Sequence, residues 1–281
     1  MRKIALFGAG GKMGQRLAAN LLADRRYEVR CVEPAKAGQE ALQQIYSVTC
    51  MMEADALQGA DVVILAVPDS AIGEISHKIS PLLEPGTILI LLDAAAPFAG
   101  ELPDRRDLTY FIAHPCHPPM FNDETDLAAK LDYFGGVAAK QNIVCSLMQG
   151  PEGAFAIGEE VARSFYAPVM KVHRATVEQM AILEPVLSET ITATCLTLMR
   201  EGIDEAVARG VPWDMARDFV VGHIFIEAAI IFEELKGVRM SDACLRAIDD
   251  AKRTIVNPDW RQVFEPEQIK KSIEYITSPA A

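Results

Sequence analysis

The residues of this chain best suited to chemistry fall in two places. Ala113-His114-Pro115-Cys116-His117-Pro118-Pro119 sets two imidazoles among three prolines, a stiff segment able to hold a ring in place. His114, beside a preceding apolar run, is a candidate metal ligand or acid–base group, and His117 ranks second. The plainer reading is a proline-stiffened turn with incidental histidines. Glu184 stands among Ala181, Ile182, Leu183, Val186, Leu187 and Ile191, where a carboxylate calls for a cation or a partner. Together, His114 and Glu184 would make a site for a divalent metal (Zn, Mn or Mg), with open positions for substrate oxygens. Left to solvent, Glu184 would be an ordinary helix residue. His223 and Glu227 lie four apart on an apolar helical run. They read first as a buried, hydrogen-bonded structural pair and second as substrate-binding or proton-transferring groups.

A further constellation opens the chain. Lys3-Ile4-Ala5-Leu6-Phe7 runs into Gly8-Ala9-Gly10-Gly11-Lys12-Met13-Gly14, and Leu17, Ala18, Leu21 and Leu22 follow at helical spacing. Strand, glycine turn and helix in that order form the phosphate-binding corner of a Rossmann unit. Backbone N–H groups there approach a pyrophosphate at the positive end of the helix. Gly8, Gly10 and Gly11 are therefore candidate cofactor contacts. The next strand, Glu28–Val32, ends at Glu33, nineteen positions past Gly14, where a carboxylate meets the ribose hydroxyls of NAD and repels the 2′-phosphate of NADP. Asp69, after the strand Asp61–Val67, is either a helix N-cap or a contact to the nicotinamide-side ribose.

These groups need a frame. Unbroken apolar runs at 61–67, 87–92, 109–113 and 142–147 predict strands covered on both faces, with helices between them. From Arg174 onward only helical periodicity remains. The expected fold is α/β: an N-terminal doubly wound Rossmann domain over residues 1–173, then an all-helical substrate and dimerisation domain over 174–281. Pro185 should bend a long helix running from about 174 to 200. The helix from about 214 to 235 is apolar nearly all round and so should be buried on all sides, which favours a homodimer. Asn257-Pro258-Asp259-Trp260 reads as a turn with an N-cap.

Bulk composition excludes several function classes. With 27 basic against 39 acidic residues the net charge is −12, which opposes binding to nucleic acid or to an anionic membrane surface. No run of eighteen apolar residues occurs, and the first strand begins at once, so neither a membrane span nor a signal peptide is expected. Six scattered cysteines without a CxxC pair suit a reduced cytoplasm.

A Rossmann domain followed by a dimerising helical domain is similar to 3-hydroxyisobutyrate and 6-phosphogluconate dehydrogenases and to ketol-acid reductoisomerases. The first two use a lysine on the first long helix after the Rossmann domain. Here no lysine lies between Arg174 and Arg200, and Lys171 falls just before. The glycine turn, the His114-Pro115-Cys116-His117-Pro118 loop, Glu184 and Gly222-His223-Ile224 together resemble D-apionate oxidoisomerases over nearly the full length. That resemblance implies NAD held by Gly11, Lys12, Met13, Glu33 and Asp69, and a divalent metal on His114 and Glu184. It also implies oxidation of a branched sugar acid, D-apionate, at C2. An acyloin-type shift of the carboxylate would then give 3-oxo-isoapionate, with His223 or Glu227 assisting proton removal. Two other readings stand beside it: an NAD-dependent 2- or 3-hydroxyacid dehydrogenase without rearrangement, and a non-catalytic NAD(H)-sensing dimer.

Overall fold

The structure, a computed structural model, describes residues 1–277. The first part alternates strands and helices: β1 (Arg2–Phe7), α1 (Lys12–Ala23), β2 (Tyr27–Val32), α2 (Lys36–Tyr46), α3 (Glu53–Leu57), β3 (Val62–Leu65), α4 (Asp69–Ile79), β4 (Ile88–Leu91), α5 (Ala95–Ala99), β5 (Thr109–Pro115), α6 (Leu127–Lys130), β6 (Gln141–Gln149), α7 (Gly153–Phe165) and β7 (Val169–Arg174). The strands make one seven-stranded sheet in the order β2-β1-β3-β4-β5-β6-β7.

The apolar runs are unbroken because each strand feeds two cores. Ile4, Leu6, Ile64 and Ile90 face a cluster with Leu17 and Leu21 of α1 and Val161 and Phe165 of α7. The alternate residues, Ala5, Phe7, Leu65 and Leu91, face a second cluster with Leu57, Ile72 and Ile79. On α1 the buried residues Gly14, Leu17, Ala18 and Leu21 repeat at helical spacing and make one stripe toward the sheet. Cys31 and Cys145 are core residues, and burial pushes each thiol up to about 12, which suppresses the reactive thiolate. All six cysteines are free thiols.

Strands β1 to β5 pair in parallel, whereas β6 runs antiparallel to β5. The connection between those two strands holds only the single-turn α6, so no crossover helix carries the chain back for a parallel return. Parallel pairing resumes between β6 and β7.

The chain divides into two compact units. The first is Met1–Ala181 together with the described residues from Ser272 onward, and the second is Ile182–Lys271. The division thus falls eight residues beyond the expected 173/174, because residues 169–174 form β7 and α8 (Val177–Ala181) still packs on α5 and β6. The long helix begins at Val177 and not at Arg174, and it continues to Ala208. Residues Ile182–Ala193 are π-helical, and α9 (Thr194–Ala208) follows. Pro185 therefore widens the helix where a bend was expected. It lacks an N–H and crowds the carbonyl four residues back, and a wider turn relieves both. The hydroxyls of Thr190 and Thr192 donate to carbonyls five residues back, on Pro185 at 2.6 Å and Leu187 at 2.7 Å, which matches the wider turn.

The remaining helices are α10 (Trp213–Ile231), α11 (Asp242–Thr254) and α12 (Pro266–Thr277), with a short 3-10 turn at Trp260–Phe264. Within the second unit α10 packs along α9. Full burial of α10 is not realised in the single chain: Ala216 and Ala229 are buried, but Phe219, Phe225, Ile231 and Phe232 are exposed. One neighbouring helix covers only one face. By length and composition Val177–Ala208 would also suffice to cross a bilayer, an 18-residue window within it having mean hydropathy 1.2. Glu184 and Glu189 within it carry charge that a hydrocarbon core opposes.

Candidate functional site

The parallel strands deliver polar residues in a row along one edge. At or just past the carboxyl ends of β2, β1, β3, β4 and β5 come Glu33, the glycine turn, Asp69, Asp93 and His114, in the order of the sheet. Open α/β sheets bind ligands at this edge, and the connections that leave β1 and β3 run to opposite sides of the β1/β3 crevice.

At the first corner two glycines are dictated by backbone contacts. Gly8 has φ +69°, and a Cβ there would lie 2.3 Å from the Ala66 carbonyl oxygen. A Cβ on Gly14 would lie 2.0 Å from the Gly8 carbonyl oxygen. Gly11 occupies the N-cap of α1 with no side-chain cap, and its N–H bonds to Gly8 O at 3.0 Å. The first turn of the helix thus presents backbone N–H groups to an anion. Met13 packs its side chain against the core, so its offering is the backbone N–H. Glu33 is buried, and its two oxygens accept the N–H groups of Gly10 and Ala35, each at 2.9 Å. These residues fit a dinucleotide: a turn too tight for side chains, helix N–H groups, and a fixed carboxylate after β2. Asp69 is the first residue of α4 and Pro68 takes the N-cap position, which corrects the N-cap reading.

His114 lies on β5, one residue before its end, and its Nδ1 is 2.8 Å from the Leu92 carbonyl oxygen. A carbonyl only accepts, so Nδ1 carries a proton, and in the neutral ring the lone pair is then on Nε2. Asp93 Oδ2 is 3.8 Å from the same Nδ1, while Asp93 Oδ1 accepts the Ala95 N–H at 2.6 Å. An imidazole anchored through one nitrogen, beside a buried carboxylate, is the arrangement that metal-ligating histidines use. Asp93 was absent from the sequence-based candidates. Its signal was available, since it follows the apolar run 87–92 at the same sheet edge as Asp69.

His117 makes its own backbone contact beside this pair. It has φ +61°, its Nδ1 is 2.9 Å from the Phe134 carbonyl oxygen, and its ring centroid is 6.4 Å from that of His114. The same connection holds Asp132, whose Oδ2 accepts the N–H groups of Val137, Ala138 and Ala139. Burial opposes ionisation of Asp132, but those three donors and Arg16 prevail and hold its pKa below the usual carboxylate value.

In the second unit, Glu184 is half-buried and sits third in the π-helical stretch. Ser188 is exposed, and the Thr192 hydroxyl is engaged with Leu187. His223 and Glu227 do not form the buried pair expected by default. His223 is exposed, its Nδ1 is 2.7 Å from the Phe219 carbonyl oxygen, and its ring stacks on Phe219 at 4.1 Å. The physical reason is local: the carbonyl four residues back takes up the ring nitrogen.

Residues 122–277 match the family described as phosphogluconate dehydrogenase (decarboxylating) C-term, and residues 3–97 match NADP oxidoreductase coenzyme F420-dependent. A D-apionate oxidoisomerase from Rhizobium rhizogenes is 57% identical over 99% of this chain and 100% of its own length. One from Cupriavidus necator is 57% identical over 98% of this chain and 99% of its own. The crystal structure of a semialdehyde dehydrogenase NAD-binding protein from Cupriavidus necator, in complex with calcium and NAD, is 56% identical. It superposes with a TM-score of 0.96, covering 98% of this chain and 99% of that one.

Proposed function

Because the chain belongs to the D-apionate oxidoisomerase family and is an NAD-dependent oxidoreductase, we propose that it oxidises D-apionate and shifts its carboxylate to give 3-oxo-isoapionate. In this reading a divalent cation, Zn, Mn or Mg, is held by His114 and Glu184. The observation that carries it is the Asp93–His114 pair at the carboxyl edge, with Nε2 bearing the imidazole lone pair. NAD supplies a hydride acceptor when bound, and the cation supplies Lewis acidity toward adjacent substrate oxygens. The calcium and NAD crystallised with the Cupriavidus necator protein support both ligands.

The chain's own groups divide the work. Glu33, fixed by two backbone N–H groups, favours ribose hydroxyls over a 2′-phosphate, hence NAD over NADP. Gly11 and Met13 offer N–H groups to the pyrophosphate, and Lys12 adds a positive charge. Asp69 takes the nicotinamide-side ribose. Asp93 and the Leu92 carbonyl keep His114 in one tautomer and one orientation. No lysine occurs between Val177 and Ala208, so electrophilic activation by a helix lysine has no candidate there.

The helical unit pairs with a second copy in this proposal, which would cover Phe219, Phe225, Ile231 and Phe232 and bring His223 and Glu227 to proton removal in the neighbour's site. Sedimentation at micromolar concentration should give a dimer. A monomer under those conditions would refute the pairing.

The test of the reaction supplies D-apionate and NAD, follows NADH by absorbance, and reads the carbon skeleton of the product by NMR. A migrated carboxylate is expected, together with at least a roughly hundred-fold loss on chelation that added Zn, Mn or Mg restores. An intact skeleton would instead mean a hydroxyacid dehydrogenase, and NADH binding without turnover a sensor. Full activity after metal removal would eliminate the cation.

A further inference from the structure

We propose that Phe134 is a positioning residue for Lys12, the cation of the glycine turn at the pyrophosphate, holding its ammonium on the face of the ring beside Arg16. The inference rests on the NAD reading above and adds a residue outside the dinucleotide motif. Lys12 and Arg16 lie four apart at the start of α1 and so project from one face of the helix. Lys12 Nζ is 4.1 Å from the Phe134 ring centroid, and Arg16 Cζ is 4.7 Å from it. Both lie within the range where a ring quadrupole attracts a cation.

The ring is placed by anchors on both sides. His117 donates from Nδ1 to the Phe134 carbonyl at 2.9 Å. Arg16 Nη1 donates to the Gly135 carbonyl at 2.7 Å, and Asn20 Nδ2 to the Gly136 carbonyl at 2.8 Å. Asp132, two residues before the ring, ties down the N–H groups of Val137, Ala138 and Ala139. Phe134 therefore stays over the helix although the residue is 43% exposed.

The two cations are not equivalent. Arg16 lies 3.6 Å from the Asp132 carboxylate, which takes up much of its charge. Lys12 has no carboxylate within ion-pair distance among the described residues. A ring restrains the ammonium without neutralising it, so Lys12 keeps a full charge for an incoming anion and loses less rotamer freedom on binding. In a chain of net charge −12 such a local positive group matters for drawing in a diphosphate.

The experiment measures NADH binding by fluorescence, and KM for NAD against kcat, in the full-length protein and in Phe134→Tyr, Phe134→Leu and Phe134→Ala. Tyrosine should bind NADH as wild type does. Leucine and alanine should bind roughly five- to twenty-fold more weakly, with KM for NAD raised and kcat within about two-fold. In a Lys12→Ala background the Phe134→Leu loss should shrink to about two-fold or less. Wild-type affinity in Phe134→Leu overturns the proposal, as does an undiminished loss in the Lys12→Ala background. If the wild-type protein itself binds no NADH, the cofactor reading falls and this one with it. Leucine, apolar and of similar bulk, separates the ring's charge-holding role from simple filling of the loop.

Discussion

His114→Ala is expected to lower turnover by about a thousand-fold or more while NADH binding stays within a few-fold of wild type. The side chain lies three strands along the edge from the glycine turn, so its loss leaves the dinucleotide corner untouched. What disappears is the imidazole anchored through Nδ1 on Leu92 O, which the proposed reading makes the metal ligand. Asp93→Asn should act through His114 and not in place of it. The amide keeps the shape but removes the negative charge 3.8 Å from Nδ1, and a loss of about 10–100-fold is expected, as for other carboxylates that support a metal-bound histidine. Steady-state kinetics beside a metal titration separates the two variants. The proposal fails if His114→Ala retains turnover within ten-fold of wild type.

Gly14→Ala is expected to cost one to two orders of magnitude in NADH affinity and several degrees in Tm. A methyl group there would meet Gly8 O at 2.0 Å and Ala9 Cα at 2.8 Å. Both neighbours are backbone, so nothing can rotate away and the turn itself must open. Overpacking of this kind costs about 1–3 kcal/mol, and the same opening misaligns the N–H groups offered to the pyrophosphate. Gly11→Ala is the control. Its nearest atom would be 3.2 Å away at an ordinary φ of −69°, so the folded protein should keep nearly its full Tm. Equal Tm and NADH affinity in Gly14→Ala and wild type would show that the turn is not closed as described.

The absence of a lysine from the long helix gains meaning from the edge array. In the proposed reading, the anchored histidine with the buried aspartate beside it takes the role that an ammonium has in a lysine-assisted dehydrogenase. Glu184 lies in a π-helical stretch. Widened turns of this kind occur often at functional sites, where one extra residue per turn re-aims a side chain. Pro185 next to Glu184 supplies a local cause for the widening.

Much of the protein was legible in the amino-acid order alone. Apolar runs without alternation required a sheet covered on both faces, and Ile4 and Ala5 indeed feed opposite cores. The glycine turn, Glu33, Asp69 and His114 could be assigned to the ligand-binding edge because each directly follows or ends a strand, a local relation that spacing records. Asp93 beside His114 was decided only in three dimensions. The two are distant in sequence and adjacent because β4 pairs with β5 in a register that aligns Leu91 with Ile112. The extension of the first unit through α8 and the exposed face of α10 belong to the same class. Each depends on which neighbour covers a surface or competes for a hydrogen bond, and a pattern along one strand of chain carries no record of its neighbours in space.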